Sequence, residues 1–187
     1  MLSLSIDYIS RTVDKLLRKY QTRDPHELCV ALGARIRLKD LGTGIKAYYF
    51  YQSRIRNIVL NSRVAEPIRR ILVAHELGHD RLHREMAMLK GFQEIELFDK
   101  TLPAEYEANI FAAELLIPDS ELLELLNDED KSFFDVAREM CIPAPLLDFK
   151  LRVLKYKGYR YIEAPYIANG DFLQNDIEGC FDEEEYF

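Results

Sequence analysis

Two histidines and a glutamate in the stretch VAHELGHDRLH, residues 73–83, have the spacing of a metal-dependent hydrolytic site. Residues four apart on an α-helix differ by about 40° around the axis and about 6 Å along it, so His75 and His79 project side by side and can share one ion. Glu76 is turned about 100° from His75, where it cannot join the same ligand set but can reach a water on the metal. The H-E-x-x-H pattern therefore predicts a zinc site at His75 and His79 with Glu76 as the general base.

A structural role for these histidines is the competing interpretation, because H-E-x-x-H arises by chance in about one chain in a few hundred of this size. That interpretation must explain two histidines in register with a carboxylate between them. It must also explain Gly78, since a glycine inside a helix costs about 1 kcal/mol relative to alanine and usually signals the close approach of another segment. These features favour the zinc site.

A catalytic zinc needs a third protein ligand and one open position. His83 is not favoured as that ligand, because on a straight helix it lies about 12 Å along the axis from His75. In the H-E-x-x-H-x-x-G-x-x-H pattern a glycine breaks the helix and the third histidine follows later, whereas here Leu82 stands at the glycine position. We therefore expect His83 to be a structural histidine or a hydrogen-bond partner of a ligand.

The segment TLPAEYEANIFAAELLIP, residues 101–118, offers carboxylates for the third position. Helical periodicity places Glu105 on the apolar face and turns Glu107 and Glu114 to the opposite side, where we expect Glu107 to meet solvent. A zinc ion would compensate a buried Glu105 carboxylate, and Asn109, one turn later, could orient a ligand through a hydrogen bond. Taken without the histidines, Glu105 would instead be an ordinary residue at a helix start, placed favourably for the helix dipole.

In combination, H-E-L-G-H and E-Y-E-A-N-I-F-A-A-E-L-L-I-P resemble the ImmA/IrrE family of zinc metallopeptidases. The resemblance covers roughly residues 25 to 155 and includes the strand that ends in IVLN and the H-E-L-G-H-x-x-L-H extension. It implies a cytoplasmic, gluzincin-like protease with one Zn²⁺ per chain, in which Glu76 is the catalytic base. The metal ligands that the resemblance implies are His75, His79 and Glu105.

The resemblance also implies a substrate. Proteases of this family cut a DNA-binding repressor, so the expected partner is a helix-turn-helix, XRE-like repressor of a prophage, a mobile element or a stress-response regulon. Some members carry an N-terminal helix-turn-helix domain, for which this chain has no room before its strands. We therefore expect a stand-alone protease.

The surrounding pattern predicts a mostly helical α+β fold in which a small antiparallel three-stranded sheet packs on the H-E-x-x-H helix, followed by C-terminal helices. The last two strands are expected to form a hairpin around Ser53 to Ile55. The histidine helix should begin at Pro67 and run to about Met88, and Pro118 should end the helix that carries Glu105. The other predicted elements are helices at 6–20, 25–33, 132–140 and 145–155 and strands in RIRLKDL, AYYFYQ and RNIVLN.

The chain of 187 residues is long enough for one domain with a buried core. We expect a zinc metallopeptidase core at 1–120, a C-terminal helical region for possible substrate docking at 121–165, and an acidic tail at 166–187. The net charge of −7 comes from residues beyond 170, so no direct contact with nucleic acid is expected. The sequence contains no apolar run of about 18 residues, so no membrane span is predicted. Its 3 cysteines are widely spaced, which suits a reducing cytoplasm.

Two alternatives belong to other functional classes. A non-catalytic zinc-dependent sensor would leave Glu76 without a role, because a purely structural zinc site closes its fourth position with another ligand. A DNA-binding regulator would use the helix-turn-helix pattern of residues 132–156, but its second helix begins PAPLLD, where a recognition helix needs polar and basic residues. Packing or substrate docking is favoured there, with the candidate surface formed by Phe133, Phe134, Leu146 and Leu147.

The residue that stabilises the oxyanion is left open by the sequence. Aromatic residues of strands are usually packing residues, so none of the candidates is preferred; they are Tyr48, Tyr49, Tyr51 and His83. An exposed strand edge within residues 47–61 could bind the substrate by strand addition.

Overall fold

The computed structural model describes residues 5–85, 102–128 and 130–159. The elements are, in chain order, α1 (Ile6–Tyr20), α2 (Pro25–Leu32), β1 (Ala34–Lys39), β2 (Ala47–Gln52), β3 (Ile55–Asn61), α3 (Glu66–Leu82), α4 (Leu102–Leu116), α5 (Asp119–Leu126), α6 (Phe133–Glu139) and α7 (Ala144–Tyr156). Several helices around one small sheet confirm the predicted α+β class. No helix of the described ranges is both long enough and apolar enough to cross a membrane.

Local signals account for the helix that precedes the sheet. Asp24 accepts hydrogen bonds from the backbone N–H groups of the second and third residues of α2, at 2.7 and 2.9 Å. Pro25 stands at the first helical position, and Gly33 ends the helix with a φ of 71°. Glycine adopts this left-handed conformation without a steric cost, so the chain can turn directly into β1.

The three strands form a mixed sheet in the order β1-β3-β2. β2 pairs antiparallel with β3, where Tyr49 lies opposite Ile58, and β1 pairs parallel with β3, where Ile36 lies opposite the same residue. The prediction of an antiparallel sheet is therefore wrong for β1. The connection of residues 40–46 carries the chain to the far edge of the sheet, so that β3 returns between the two earlier strands. Side chains alternate in both kinds of strand, and their period does not distinguish them.

Asn61, at the end of β3, holds this connection in place. Its buried amide donates hydrogen bonds to the carbonyl groups of Gly42 at 2.7 Å and Ile45 at 2.8 Å. Buried backbone carbonyls need such partners, so one side chain of the central strand satisfies the loop that passes over it.

The hairpin between β2 and β3 is confirmed. Its two turn residues, Ser53 and Arg54, have φ values of 50° and 64°. Positive φ at both central residues gives the turn a twist that matches the twist of the flanking strands.

The histidine helix α3 ends earlier than expected. Its last residue is Leu82, and His83 caps it with a φ of −123° and a ψ of 15°. The expected continuous helix through His83 is therefore wrong, and its expected end at Met88 lies outside the described residues.

α4 is the central helix and packs against α3, α1 and α7. Ala108, Ile110 and Phe111, which point in different directions around its axis, are all fully buried. A helix covered on several sides also buries residues opposite its predicted apolar face, and Glu114 is one of them. This carboxylate is buried, and it accepts hydrogen bonds from Lys150 and, at 2.6 Å, from Lys157.

The C-terminal helices are part of the same core. Residues 146–151 of α7 are all buried, and Phe133 of α6 is buried as well. Of the four residues of the expected docking surface, only Phe134 is exposed, at 50%. The predicted division at residue 120 stays a prediction, and the acidic tail at 166–187 lies outside the described residues.

α3 and α4 approach each other closely at Gly78. A Cβ atom added there would lie 3.2 Å from Ala108 Cα, 3.3 Å from Ala108 O and 3.2 Å from the Phe111 ring. This confirms the expectation that Gly78 marks the approach of another segment.

Gly78→Ala is expected to reduce the free energy of unfolding by about 1 kcal/mol, because overpacking costs about 1–3 kcal/mol and alanine returns about 1 kcal/mol of helix propensity. Urea unfolding measures the difference. Gly44→Ala is the matched control, since nothing lies within 4 Å of a Cβ added there. A gain in stability in Gly78→Ala would show that the two helices can separate without cost.

Candidate metal centre

His75 and His79 lie side by side on α3, as their spacing predicted. Their Nε2 atoms are 3.1 Å apart, and the ring centroids are 4.8 Å apart. Both side chains are buried. The two ring nitrogens therefore point to one place beside the helix.

Glu105 reaches the same place from α4. Its Oε2 atom lies 3.2 Å from His75 Nε2, and its Oε1 atom lies 3.4 Å from His79 Nε2. Around a tetrahedral zinc with bonds of about 2.0–2.1 Å, neighbouring ligand atoms stand about 3.4 Å apart. The spacing and the donor types of His75, His79 and Glu105 fit a metal ion, and these three residues could hold one.

Burial and the neighbouring charges set the protonation states of this group. Burial lowers the pKa of His79 to about 4, although Glu105 acts in the opposite direction. Burial also acts to lower the pKa of His75, but its hydrogen bond with Glu105 and the charge of that carboxylate outweigh it, so the pKa is raised. Burial acts to raise the pKa of Glu105, but the two histidines outweigh it and hold the pKa well below its usual range. Glu105 is thus ionised and His79 is neutral, and these are the forms that bind metals.

Asn109 contacts the Nδ1 atom of His75. The distance from His75 Nδ1 to Asn109 Oδ1 is 2.8 Å, and the Asn109 side chain is fully buried. An amide oxygen accepts hydrogen bonds, so His75 donates from Nδ1 and keeps its lone pair on Nε2. The structure thus places Asn109 where the sequence expected an orienting partner.

The Nδ1 atom of His79 faces His83 instead. His83 Nδ1 lies 3.0 Å from His79 Nδ1, and His83 Nε2 lies 2.8 Å from Glu107 Oε2. His83 therefore contacts the back of the His79 ring. The expectation that Glu107 meets solvent is wrong, because its side chain is only 1% exposed. Its burial follows from the neighbours that cover α4, which helical periodicity does not reveal.

Glu76 lies on the adjacent face of α3 and is 6% exposed. It follows His75 directly in sequence, and its charge acts to raise the pKa of that histidine. A carboxylate near the ligands but outside their set is suited to accept a proton from a water there.

The comparison with known proteins identifies the family. Residues 29–152 match a peptidase family model described as the IrrE N-terminal-like domain. The chain belongs to the ImmA/IrrE family of metallopeptidases. The matched range contains both the H-E-L-G-H stretch and the helix that carries Glu105. A metallopeptidase acts through a metal ion, and the buried group of His75, His79 and Glu105 has the geometry to bind one.

Two relatives come from Bacillus and one of its phages. The chain is 35% identical over 144 residues to "Uncharacterized immunity region protein 2" of Bacillus phage phi105, which covers 76% of this chain and 88% of that protein. It is 25% identical over 145 residues to "Metallopeptidase ImmA" of Bacillus subtilis (strain 168), which covers 76% of this chain and 83% of that protein.

Asp80, next to His79 in sequence, joins α3 to the sheet, and the sequence analysis missed it. The carboxylate is fully buried and accepts a hydrogen bond from Tyr49 at 2.7 Å. It also pairs with Arg56 at 3.2 Å and with Arg84 at 3.0 Å. Helical periodicity gave no signal for Asp80, because Glu76 and Arg84 stand one turn away on the same face. Its partners follow from its burial, since a buried carboxylate needs compensation.

These contacts narrow the choice of an oxyanion-stabilising residue. The Tyr49 hydroxyl donates to Asp80, and burial followed by the charge of that carboxylate raises the pKa of Tyr49 above its usual value. His83 has both ring nitrogens in contact with other side chains. Tyr49 and His83 are therefore engaged in contacts that hold the structure.

Tyr49→Phe is expected to lower the free energy of unfolding by about 1.5–3 kcal/mol, because it removes a buried hydrogen bond to a charged group. Tyr48→Phe is the matched control on the other face of β2, where the ring stacks on Phe50. Chemical denaturation of the two variants measures the difference. Equal losses in both would contradict the role given to the contact between Tyr49 and Asp80.

Proposed function

We propose that the protein is a zinc-dependent metalloendopeptidase that cleaves a helix-turn-helix transcriptional repressor at a specific site. Cleavage would relieve repression of a mobile element, a prophage or a stress-response regulon. The observation that carries the proposal is the buried group of His75, His79 and Glu105 in a chain of a metallopeptidase family. Two imidazoles and one carboxylate form a ligand set that catalytic zinc sites use, with one position left open.

In this proposal His75 and His79 bind the metal through Nε2, and Glu105 binds it through a carboxylate oxygen. Zinc bound there would lower the pKa of its water from about 15.7 to near 7 and polarise the scissile carbonyl. Glu76 accepts the proton of the attacking water on a carboxylate oxygen and passes it to the nitrogen of the leaving amine. Asn109 keeps the His75 ring in place through the hydrogen bond at Nδ1.

The sheet offers a way to present the substrate. Among the described strands, β2 is at an edge, and it packs beside α3. An extended peptide can add to such an edge through backbone hydrogen bonds. A scissile segment would then lie extended near the candidate metal group, which agrees with the strand addition expected for residues 47–61.

The descriptions of the two relatives support the substrate class. One is an immunity region protein of a phage and the other is a metallopeptidase. A protease that serves phage immunity would act on a regulator of phage genes, and a small DNA-binding repressor is the simplest such regulator. The same reasoning supports a cytoplasmic site for the proposed activity.

The burial of α7 is evidence against the alternative that the protein is a DNA-binding regulator. A recognition helix must expose polar and basic side chains to the major groove. In α7, Leu147, Phe149 and Lys150 are buried, and Lys150 pairs with Glu114 of α4. A non-catalytic zinc sensor remains the weaker candidate, because the buried Glu76 beside the metal group has a clear role only in catalysis.

The protein is expected to bind one zinc ion per chain, and Glu105→Ala should weaken this binding strongly. Zinc at about 100 times its Kd should raise the free energy of unfolding of the wild type by about 2.7 kcal/mol. Denaturation of chelator-treated protein, with and without zinc, measures this gain. Glu124→Ala is the control, since Glu124 is exposed on α5. An equal gain in Glu105→Ala would exclude Glu105 as a ligand.

Glu76→Gln should keep the zinc and lose peptidase activity by about 10²–10⁴-fold, because it removes a general base and leaves the ligands intact. Metal content and cleavage are measured on one sample, with Glu124→Gln as the control. Used as bait in its native host, the inactive variant should capture a small helix-turn-helix repressor that the wild type cuts once or twice. Full cleavage by Glu76→Gln would refute the role of Glu76, and rapid digestion of casein without a captured repressor would indicate a general peptidase.

A further inference from the structure

Three buried side chains form a continuous series of short contacts on the Nδ1 side of His79. His79 Nδ1 lies 3.0 Å from His83 Nδ1, and His83 Nε2 lies 2.8 Å from Glu107 Oε2. None of the three is more than 2% exposed. We call this series the Glu107–His83–His79 relay.

The contacts favour one arrangement of the ring protons. A carboxylate oxygen accepts hydrogen bonds, so His83 donates its Nε2–H to Glu107 Oε2. A His83 ring that carries one proton then has its lone pair on Nδ1, where it accepts the Nδ1–H of His79. A neutral His79 carries one ring proton, so its lone pair is left on Nε2, the atom that lies 3.4 Å from Glu105.

The hydrogen bond between His79 and His83 would put the His79 proton on a different atom if its direction were reversed. If His83 donated from Nδ1, His79 would accept there and carry its proton on Nε2. That proton would occupy the position that a metal ligand needs for its lone pair. Glu107 therefore selects, through His83, the form of His79 that can bind a metal at Nε2.

The backbone places His83 for this role. α3 stops at Leu82, and His83 leaves the helical conformation with a φ of −123°. Its ring is tilted by 50° against the His79 ring, with a centroid distance of 5.2 Å, and its Nδ1 atom faces Nδ1 of His79. Glu107 on α4 then closes the series from the opposite side.

The two histidines of the centre are held in different ways. The amide of Asn109 contacts His75, whereas a carboxylate stands at the end of the series behind His79. A negative charge behind a histidine ligand raises its basicity as well as fixing its orientation, and a neutral amide mainly fixes the orientation.

We propose that Glu107 and His83 are positioning residues that hold His79 as its Nδ1–H tautomer, with Nε2 directed at the metal. This inference rests on the proposed metal site. The competing explanation is that Glu107 and His83 form a buried pair that stabilises the α3–α4 contact without affecting the metal.

Two-bond ¹H–¹⁵N spectra of histidine-labelled protein test the proton positions directly. They should show the proton of His79 on Nδ1 and that of His83 on Nε2, in the metal-free and in the zinc-loaded protein. A proton on Nε2 of His79 in the metal-free protein would overturn the proposal without any variant. Failure of zinc to bind would count against the proposed function, and the metal-free spectrum would still decide the relay.

Zinc affinity, measured by competition with a chelator, tests whether Glu107 strengthens metal binding by His79. Glu107→Met removes the acceptor and should weaken zinc binding by about 10–100-fold. Glu107→Gln, which can still accept from His83 through its amide oxygen, should recover a large part of that loss and keep the His79 tautomer.

Glu114→Met is the matched control, because Glu114 is another buried carboxylate of α4 and pairs with Lys150 outside the relay. It should lower the unfolding midpoint in urea and leave the zinc affinity unchanged. If Glu107→Met loses stability as Glu114→Met does but binds zinc like the wild type, Glu107 has a structural role only and the proposal fails.

Discussion

At Gly78 the backbone of α4 lies against α3 so closely that an added methyl group would stand 3.2 Å from Ala108 Cα. Across this close contact Glu105 of α4 lies within 3.4 Å of both histidines of α3. Glu107 of the same helix contacts His83. The candidate metal group and the contacts behind it thus lie where two helix backbones meet closely.

Placing α4 at the centre of the molecule imposes a second constraint. A helix covered by α3, α1 and α7 must satisfy each polar group that it buries. Glu105 and Asn109 do so with the histidines of α3, and Glu114 does so with Lys150 of α7. Charged groups on opposite sides of α4 are therefore compensated by different neighbours. We expect removal of Glu105 to affect metal binding and removal of Glu114 to affect stability.

The sheet contributes rigidity to the candidate metal centre. Asp80 follows His79 directly and is held by Tyr49 of β2 and Arg56 of β3. These contacts fix the end of α3 against the sheet on the face turned away from the second histidine. Ligands on a helix that is held from both sides keep their geometry, which is what a site with an open coordination position requires.

The features that the amino-acid sequence alone predicted are those that depend on local helix geometry. The positions of His75, Glu76 and His79 on one helix follow from a period of 3.6 residues, and the close approach at Gly78 follows from the absence of a side chain. Glu105 was placed correctly because its own helical face carries apolar residues. Tertiary structure decided the parallel pairing of β1, the end of α3 at Leu82, the partners of Asp80 and the burial of Glu107. Each of these depends on a segment distant in sequence, and no local period records which surface will cover a residue.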